Sequence, residues 1–496
     1  GHAPAILAFR VIGIAQQRFL IAAVVREEGN AQRAGGVEGV RFDRHRRADR
    51  LPQLVGNVMQ SLNGSINAIW VGQLLGDQAL AATANANILM FLLFALVFGF
   101  GMAATVRIGQ AWGGKDIVIA RRVLGSALGL TGGISLLMMV GGILYAHVLL
   151  DWLATPGGAR AQALDYLRVV FIANPLATIT TMIAMGLRGA GDAGTPLRFM
   201  ILTTVLDVAL NPLLILGWGP FPALGIAGSA WAMVIATAIG LIAMLVWIYA
   251  KDLPLRLRGA ELGWLRPRGP ETRYLLSRGL PMGAQMLVIS GAGVIMIGLV
   301  NREGIVTTAA YGALLQIWNY IGMPAMAIGG AVSAMAAQHI GAAREDRIDA
   351  ISLAGSLANL AMTGVLIAAL VPFDRPVLEL FLGADSPSVE AALHIQDLVI
   401  WTYLPFGVTI VLFGTLRAYG VLYAQIVVLL AAMYGVRLGA YYLLYPGFGA
   451  DALWYSYLLS SIASLALTLA VYFFAPWRKL MLARVAASRV GNAVVS

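Results

Sequence analysis

The sequence predicts an all-α integral membrane protein: twelve transmembrane helices in two pseudo-symmetric six-helix lobes, related as a parallel repeat. Three observations predict it. The composition is too apolar for a soluble domain, twelve stretches have spanning length, and motifs recur at a nearly fixed offset. Of 496 residues, 59% are hydrophobic and 12% charged, and mean hydropathy is +0.80; soluble domains run at roughly 25% charged. The formal charge of +10 would suit nucleic acid, but the basic residues sit in loops and termini, so the bilayer is the expected partner and nucleic acid is not. With no cysteine in the chain, disulfides and thiolate metal sites are excluded.

The chain opens differently. Residues 1–50 hold nine arginines and read as a basic, poorly ordered N-terminal extension. Their one apolar run, 19–25, is too short to span, and the pattern is not that of a signal peptide. A span needs about 20 apolar residues. Such stretches fall at 51–75, 85–110, 123–149, 164–187, 196–217, 224–250, 274–300, 307–338, 351–372, 392–416, 422–445 and 450–475. The expected divisions are an N-lobe over 51–250, a cytoplasmic linker over 251–273, a C-lobe over 274–475 and a basic tail over 476–496.

Loop charge sets the orientation. The connections after spans two, four and six carry Lys115, Arg121, Arg188, Arg198, Lys251, Arg256, Arg258, Arg266 and Arg268, while those after spans one, five and eleven have no Lys or Arg. Both termini are therefore expected in the cytoplasm, in an inner or plasma membrane. The repeat follows from paired positions. Pro52 and Pro281 are 229 apart, Gln110 and Gln338 228, Asp151 and Glu379 228, Pro175 and Pro405 230, Arg188 and Arg417 229. Six spans in each half give both halves one orientation, a parallel repeat about the membrane normal, with sites between the halves near mid-membrane.

Four stretches in this order, SINAIWVGQLLGDQALAA, AATVRIGQAWGGKD, MGLRGAGDAGTP and LDVALNPLLILGWGPFPALGIAGSAWA, resemble the multidrug and toxic compound extrusion (MATE) family from about residue 51 to 475. The resemblance implies two rocking lobes and export of organic cations or other amphiphiles against inward H⁺ or Na⁺. It implies no cofactor beyond the coupling ion. The expected protein is a transporter and not an enzyme, and a monomer. The alternative reading is a flippase for a lipid-linked or polysaccharide precursor, since related folds carry such substrates.

The fifth span holds the principal site candidate. Thr203, Asp207 and Asn211 lie at i, i+4 and i+8 on one helical face, with Pro212 beside them. A mid-span carboxylate is costly unless partnered, wetted or protonated, so it points to function. Pro212 frees a carbonyl one turn back and is a candidate hinge. The other reading of Asp207 is a packed acid held by Thr and Asn. In the family, polar residues of this helix belong to the cation site, which makes Asp207, Asn211 and Thr203 candidate coupling residues.

Span one offers Asn57, Gln60 and Asn67 at helical spacing. The family commonly has Asp where this chain has Asn67, and asparagine takes up no proton. Asn67 is therefore a candidate partner of the cation site, and Asn57 and Gln60 candidates for the substrate cleft. Helix-to-helix packing explains the same stripe. Span four adds Asn174, Thr178 and Thr181 at helical spacing beside a second candidate hinge, Pro175; these either close the cavity around Asp207, making Asn174 a candidate coupling residue, or form ordinary interhelical hydrogen bonds. In the C-lobe, Gln285, Gln316, Asn319 and Met323 are cleft candidates, methionine being adaptable to varied apolar ligands.

Some family members carry carboxylates in spans seven and ten; this chain has Gly407 in span ten and only Asp397 near its outer end, an expected interfacial residue. No Arg or Lys is counted at the middle of any span, which weighs against an anionic headgroup. Asp207 is counted as the only carboxylate deep in a span, with Val436 at its position in the second half. The five histidines lack metal spacing, His339 being expected as a solvated helix end, and Gly189 to Asp192 lack the remainder of a phosphate loop.

Overall fold

The structure, a computed structural model, describes residues 77–152, 157–217, 223–383 and 386–475, together with Trp70 and Leu74. The expected extension 1–50, the tail 476–496 and nearly all of the first span lie outside the described residues. What is described is all-helical: α1 (Asp77–Gly113), α2 (Ile117–Trp152), α3 (Gly157–Gly189), α4 (Gly194–Leu216), α5 (Ile226–Ala250), α6 (Pro270–Val300), α7 (Ile305–Gly341), α8 (Ile348–Leu370), α9 (Asp374–Leu382), α10 (Ser388–Val399), α11 (Tyr403–Ala418), α12 (Tyr423–Leu430), α13 (Arg437–Phe448) and α14 (Asp451–Phe474). Ten stretches among the described residues are long and apolar enough to cross a membrane, from Ile117–Val148 to Asp451–Phe474. They coincide with the third to twelfth expected spans, and α1 covers the second.

The ends differ where polar chemistry extends a helix beyond its apolar core. α2 starts at Ile117 because the Ile119 N–H donates to Asp116 Oδ1 at 2.9 Å, satisfying a donor that the first turn leaves open. α4 starts after Asp192, whose carboxylate accepts from the Thr195 N–H at 2.9 Å and the Thr195 hydroxyl at 2.6 Å. It stops at Gly217, which adopts φ +72° and returns its N–H to Leu213 O at 3.0 Å, a left-handed cap that suits glycine.

The chain forms two compact units, one of the described residues up to Ala284 with Gly341–Ala343, the other of Gln285–Ile340 and the described residues from Arg344 onward. In the first unit, α2, α3 and α5 bury Ala146, Leu150, Leu167, Phe171, Ile226 and Ala230 together. The Thr105 hydroxyl of α1 donates to Met185 O of α3 at 3.0 Å. α4 and α5 meet through small residues. A Cβ on Gly228 would meet Leu214 O at 2.4 Å, and one on Gly240 would meet Thr203 Oγ1 at 2.0 Å.

The expected inter-lobe linker is an ordered strap on α2. It contains the 3₁₀ segment Gly259–Leu265. Arg121 donates to Pro254 O at 2.6 Å and pairs with Glu261 at 3.0 Å. Arg122 lies over the Trp264 ring at 5.6 Å. A Cβ on Gly129 would meet Leu265 O at 1.7 Å, so only glycine lets the strap lie this close.

In the second unit, α6, α7, α9, α10, α13 and α14 bury an aromatic core with Tyr311, Trp318 and Trp454 at its centre. α8 and α11 join through the Ser352 and Thr415 hydroxyls, 2.6 Å apart. Between α12 and α13 the backbone runs as a π-helix over Ala431–Val436, a wider turn that adds a residue to the register. One expectation is corrected here. His339 is only 3% exposed and its Nδ1 lies 2.8 Å from Met335 O. It is a packed ring rather than a solvated helix end, because α7 continues past it to Gly341.

Candidate functional site

Asp207 and Asn211 are each 1% exposed, although they sit in an apolar spanning helix. The burial pattern of α4 explains this. Thr204, Asp207, Asn211, Leu214 and Ile215 face inward, while Ile201, Val205 and Leu216 are exposed. A 3–4 spacing of this kind makes one helical stripe. Asn211 Nδ2 donates to Asp207 O at 2.9 Å and to Asp207 Oδ1 at 3.3 Å, locking the amide to the acid one turn back. Pro212 lies inside α4 next to this pair and removes a helical donor there.

Thr203 is half-buried and turned aside. Its hydroxyl donates to Phe199 O at 2.9 Å and packs on Gly240, so the inward stripe runs through Thr204 instead. α3 presents Tyr166, Asn174 and Thr178, all buried, at helical intervals on one face. The Tyr166 hydroxyl is within electrostatic reach of the Asp207 carboxylate. Asn174 Nδ2 and Asn211 Oδ1 are buried polar atoms with no hydrogen-bond partner among the described residues. Buried amides left open in this way are sites for water or an ion. Pro175 lies inside α3 beside Asn174 and removes a helical donor there. The sequence reading missed Tyr166, since a tyrosine near the start of a span reads as an interfacial anchor; its eight-residue spacing to Asn174 was the available signal. Asn57, Gln60 and Asn67 lie outside the described residues.

In the second unit the cleft candidates separate. Gln285 is buried, and its amide donates to Leu422 O at 3.4 Å, tying α6 to the start of α12. Gln316 and Asn319 are exposed and Met323 is half-buried, along one stripe of α7. Amides in the middle of a spanning helix favour a water-lined face over lipid. At Gly407 a Cβ would meet Asn359 Nδ2 at 2.0 Å, so this glycine makes room for an amide of α8. Asp397 is exposed.

One expectation is corrected. Arg437 is a basic residue in the interior of the span Tyr423–Phe448, and it is buried, 8% exposed. Asp374, 5% exposed, lies near the end of the stretch Glu345–Glu379, past the expected span 351–372, and accepts from Gln396 Nε2 at 3.4 Å. Arg437 was missed for a physical reason. A single charge in an otherwise apolar window leaves the hydropathy of the span almost unchanged.

Long spanning helices with internal prolines and polar side chains at mid-span fit a multi-pass membrane transporter. The chain belongs to the MatE family, whose profile matches it twice, over residues 52–213 and 281–443. These two matches begin at the two prolines that open the halves of the repeat. Among relatives, it is 32% identical to the probable multidrug resistance protein YoeA of Bacillus subtilis (strain 168) over 436 residues, 88% of this chain and 94% of that one. It is 25% identical to the FAD transporter of Shewanella oneidensis over 74% of this chain and 80% of that one. The solved structure of an outward-facing multidrug resistance MATE family transporter of the MOP superfamily superposes with a TM-score of 0.79, 18% identity, and coverage of 88% of this chain and 96% of that one. The twelve-helix, two-lobe fold is thereby that of this family.

Proposed function

We propose that this transporter is a secondary multidrug exporter, moving organic cations or other amphiphiles out of the cell by antiport against H⁺ or Na⁺. The N-lobe is taken as 51–250, the linker as 251–273 and the C-lobe as 274–475, rocking in alternating access. The observation that carries the reading is Asp207, buried in α4 against Asn211 and within reach of Tyr166. A carboxylate in this setting is relieved of its buried charge by a proton or a bound cation. Loading it changes the charge beside Pro212, where the helix lacks a backbone bond and bends at low cost. Asn67, Asn174 and Asn211 supply the amides that would surround the ion, and Gln316, Asn319 and Met323 line the substrate path. The name of the Bacillus relative, a probable multidrug resistance protein, agrees with this reading.

The test is drug uptake into everted vesicles driven by an imposed pH gradient. Asp207→Asn, at equal expression, is expected to lower gradient-driven transport at least tenfold; transport at the original rate overturns the assignment. A parallel run with a Na⁺ gradient alone separates the two coupling ions. The flippase reading gains a specific support in Arg437, a buried cation of the kind that meets an anionic headgroup. Translocation of a fluorescent lipid phosphate in proteoliposomes, unaffected by Asp207→Asn, would favour it over export.

A further inference from the structure

The second unit carries a charge without a counter-charge. Arg437 begins α13, at the exit of the π-helix Ala431–Val436. It lies fourteen residues from one end of its span and eleven from the other, about 20 Å and 16 Å along the axis. Its Nε–H donates to Ser460 Oγ at 2.9 Å, and its guanidinium lies 4.2 Å from the centroid of the Tyr457 ring. Among the described residues it has no ion pair with a carboxylate, and Ser460 is its only hydrogen-bond acceptor. A guanidinium has five N–H donors in a planar fork. The four donors on its two Nη atoms are thus unused, in a side chain more than nine-tenths buried. A buried charge missing its partner is costly, and one placed at mid-membrane marks a ligand or substrate path.

The surroundings state what kind of ligand would supply the partner. The hydroxyls of Tyr311 and Tyr457 lie 2.7 Å apart, and those of Tyr311 and Tyr403 are within electrostatic reach of the guanidinium. Behind them the rings of Trp318 and Trp454 pack on Tyr311, with centroids 5.8 and 5.9 Å away. Tyr311, Trp318 and Trp454 are buried, whereas Tyr403 and Tyr457 are half-buried and keep part of their surface open. Tyrosine hydroxyls donate to an anion, an arginine fork grips a carboxylate or phosphate by two parallel bonds, and open ring faces stack on a flat ring.

Two further details agree. The π-helix is a strained, uncommon turn that recurs at functional sites, and here Tyr434 within it is anchored by donating to Val288 O at 2.9 Å. That anchor fixes the register that turns Arg437 toward α14. The buried acid of this unit, Asp374, is engaged by Gln396, whose own oxygen accepts from Trp318 Nε1 at 2.7 Å.

We infer that Arg437, Tyr457, Tyr403 and Tyr311 form a binding site for a small organic anion with a flat aromatic ring, the anionic group on the guanidinium fork and the ring against the tyrosines. The site goes beyond the coupling role given to Asp207 and does not depend on it. It assigns to this unit a ligand charge opposite to that of an organic cation.

The experiment measures equilibrium binding of 2-naphthoate to the purified full chain in detergent, by dialysis and by quenching of tryptophan fluorescence. A permanently charged cation on the same ring, trimethyl(2-naphthyl)ammonium, serves as the contrast. Saturable one-site binding of naphthoate is expected, with at least tenfold weaker binding of the cation. Arg437→Gln is expected to weaken naphthoate at least tenfold. Arg437→Lys, which keeps the charge and loses the fork, is expected to fall between. Asp207→Asn is expected to leave naphthoate binding unchanged even where it abolishes transport, so failure of the coupling assignment and failure of this site read out separately. Unchanged naphthoate affinity in a monodisperse Arg437→Gln protein overturns the site. Should that variant not purify as a monodisperse species, the wild-type comparison decides: equal affinity for the anion and the cation overturns it.

Discussion

Asn211 tests how much of the Asp207 environment is built by a single neighbour. Its amide donates to both the carbonyl and the carboxylate of Asp207. Asn211→Ala removes the donor and leaves a buried carboxylate less well satisfied, a loss of about 1–3 kcal/mol. The expected result is a fall in melting temperature of a few degrees, and gradient-driven transport lowered several-fold, less than for Asp207→Asn. Thermal unfolding and the everted-vesicle assay read the two effects, and a variant like wild type in both would remove Asn211 from the site. The pair was legible in the sequence because i and i+4 place two polar residues on one face, and an apolar background makes such a stripe visible. Arg437 was not, since it is a lone charge that a spanning-length average absorbs. Thr203 shows the converse limit. Its spacing puts it on the Asp207 face, but the close approach of Gly240 holds its hydroxyl to its own helix.

Helix pairs in this protein are set by where backbone meets backbone. The α4–α5 contact closes because Gly228 has no side chain facing Leu214 O, where a Cβ would sit at 2.4 Å. Carbonyl oxygen in a helix cannot retreat, so Gly228→Val must separate the two helices and shift the stripe that carries Asp207. A penalty of about 1–3 kcal/mol is expected, seen as a lower melting temperature and a lower yield of monodisperse protein. Gly132→Val in α2, with nothing within 4 Å of the added carbon, is the matched control and is expected to change stability by less than about 0.5 kcal/mol. Equal effects of the two substitutions would show that the seam does not limit stability. At this scale the sequence located every span of the described region, because twenty apolar residues in water have few alternatives to a bilayer. It did not show the π-helix before Arg437, whose residues have the same character as those of an α-helix. Nor did it show that the strap 251–269 is ordered, because that order comes from Arg121, Arg122 and the gap at Gly129 rather than from the strap's own composition.

The two halves of the chain are one design used twice, since a single family profile matches both, yet one half buries an acid in its fifth span where the equivalent stretch of the other buries an arginine. Asp207 lies on α4, and the corresponding stretch of the second half carries Val436 followed by Arg437, just past a π-helix that shifts the register. A parallel repeat requires both halves to enter the membrane from the same side, so the orientation of one loop fixes all the others. The connections at 113–116 and 251–269 hold Lys115, Lys251 and the strap arginines, and Arg188 and Arg198 flank the one at 190–193, while the turn at 446–450 holds no basic residue. Excess Lys and Arg stay on the cytoplasmic side. The natural absence of cysteine makes the test direct, because any single cysteine introduced is the only thiol in the chain. Ala260→Cys in the strap and Ala342→Cys after α7 are exposed positions on the basic side. Ala223→Cys before α5 and Gly447→Cys after Pro446 are exposed positions on the other. In intact cells a membrane-impermeant maleimide is expected to label Cys variants of Ala223 and Gly447 only. After permeabilisation all four are expected to react. Labelling of the Ala260 variant in intact cells would invert the protein in its membrane and, because the halves are parallel, would reverse the direction of transport assigned to it.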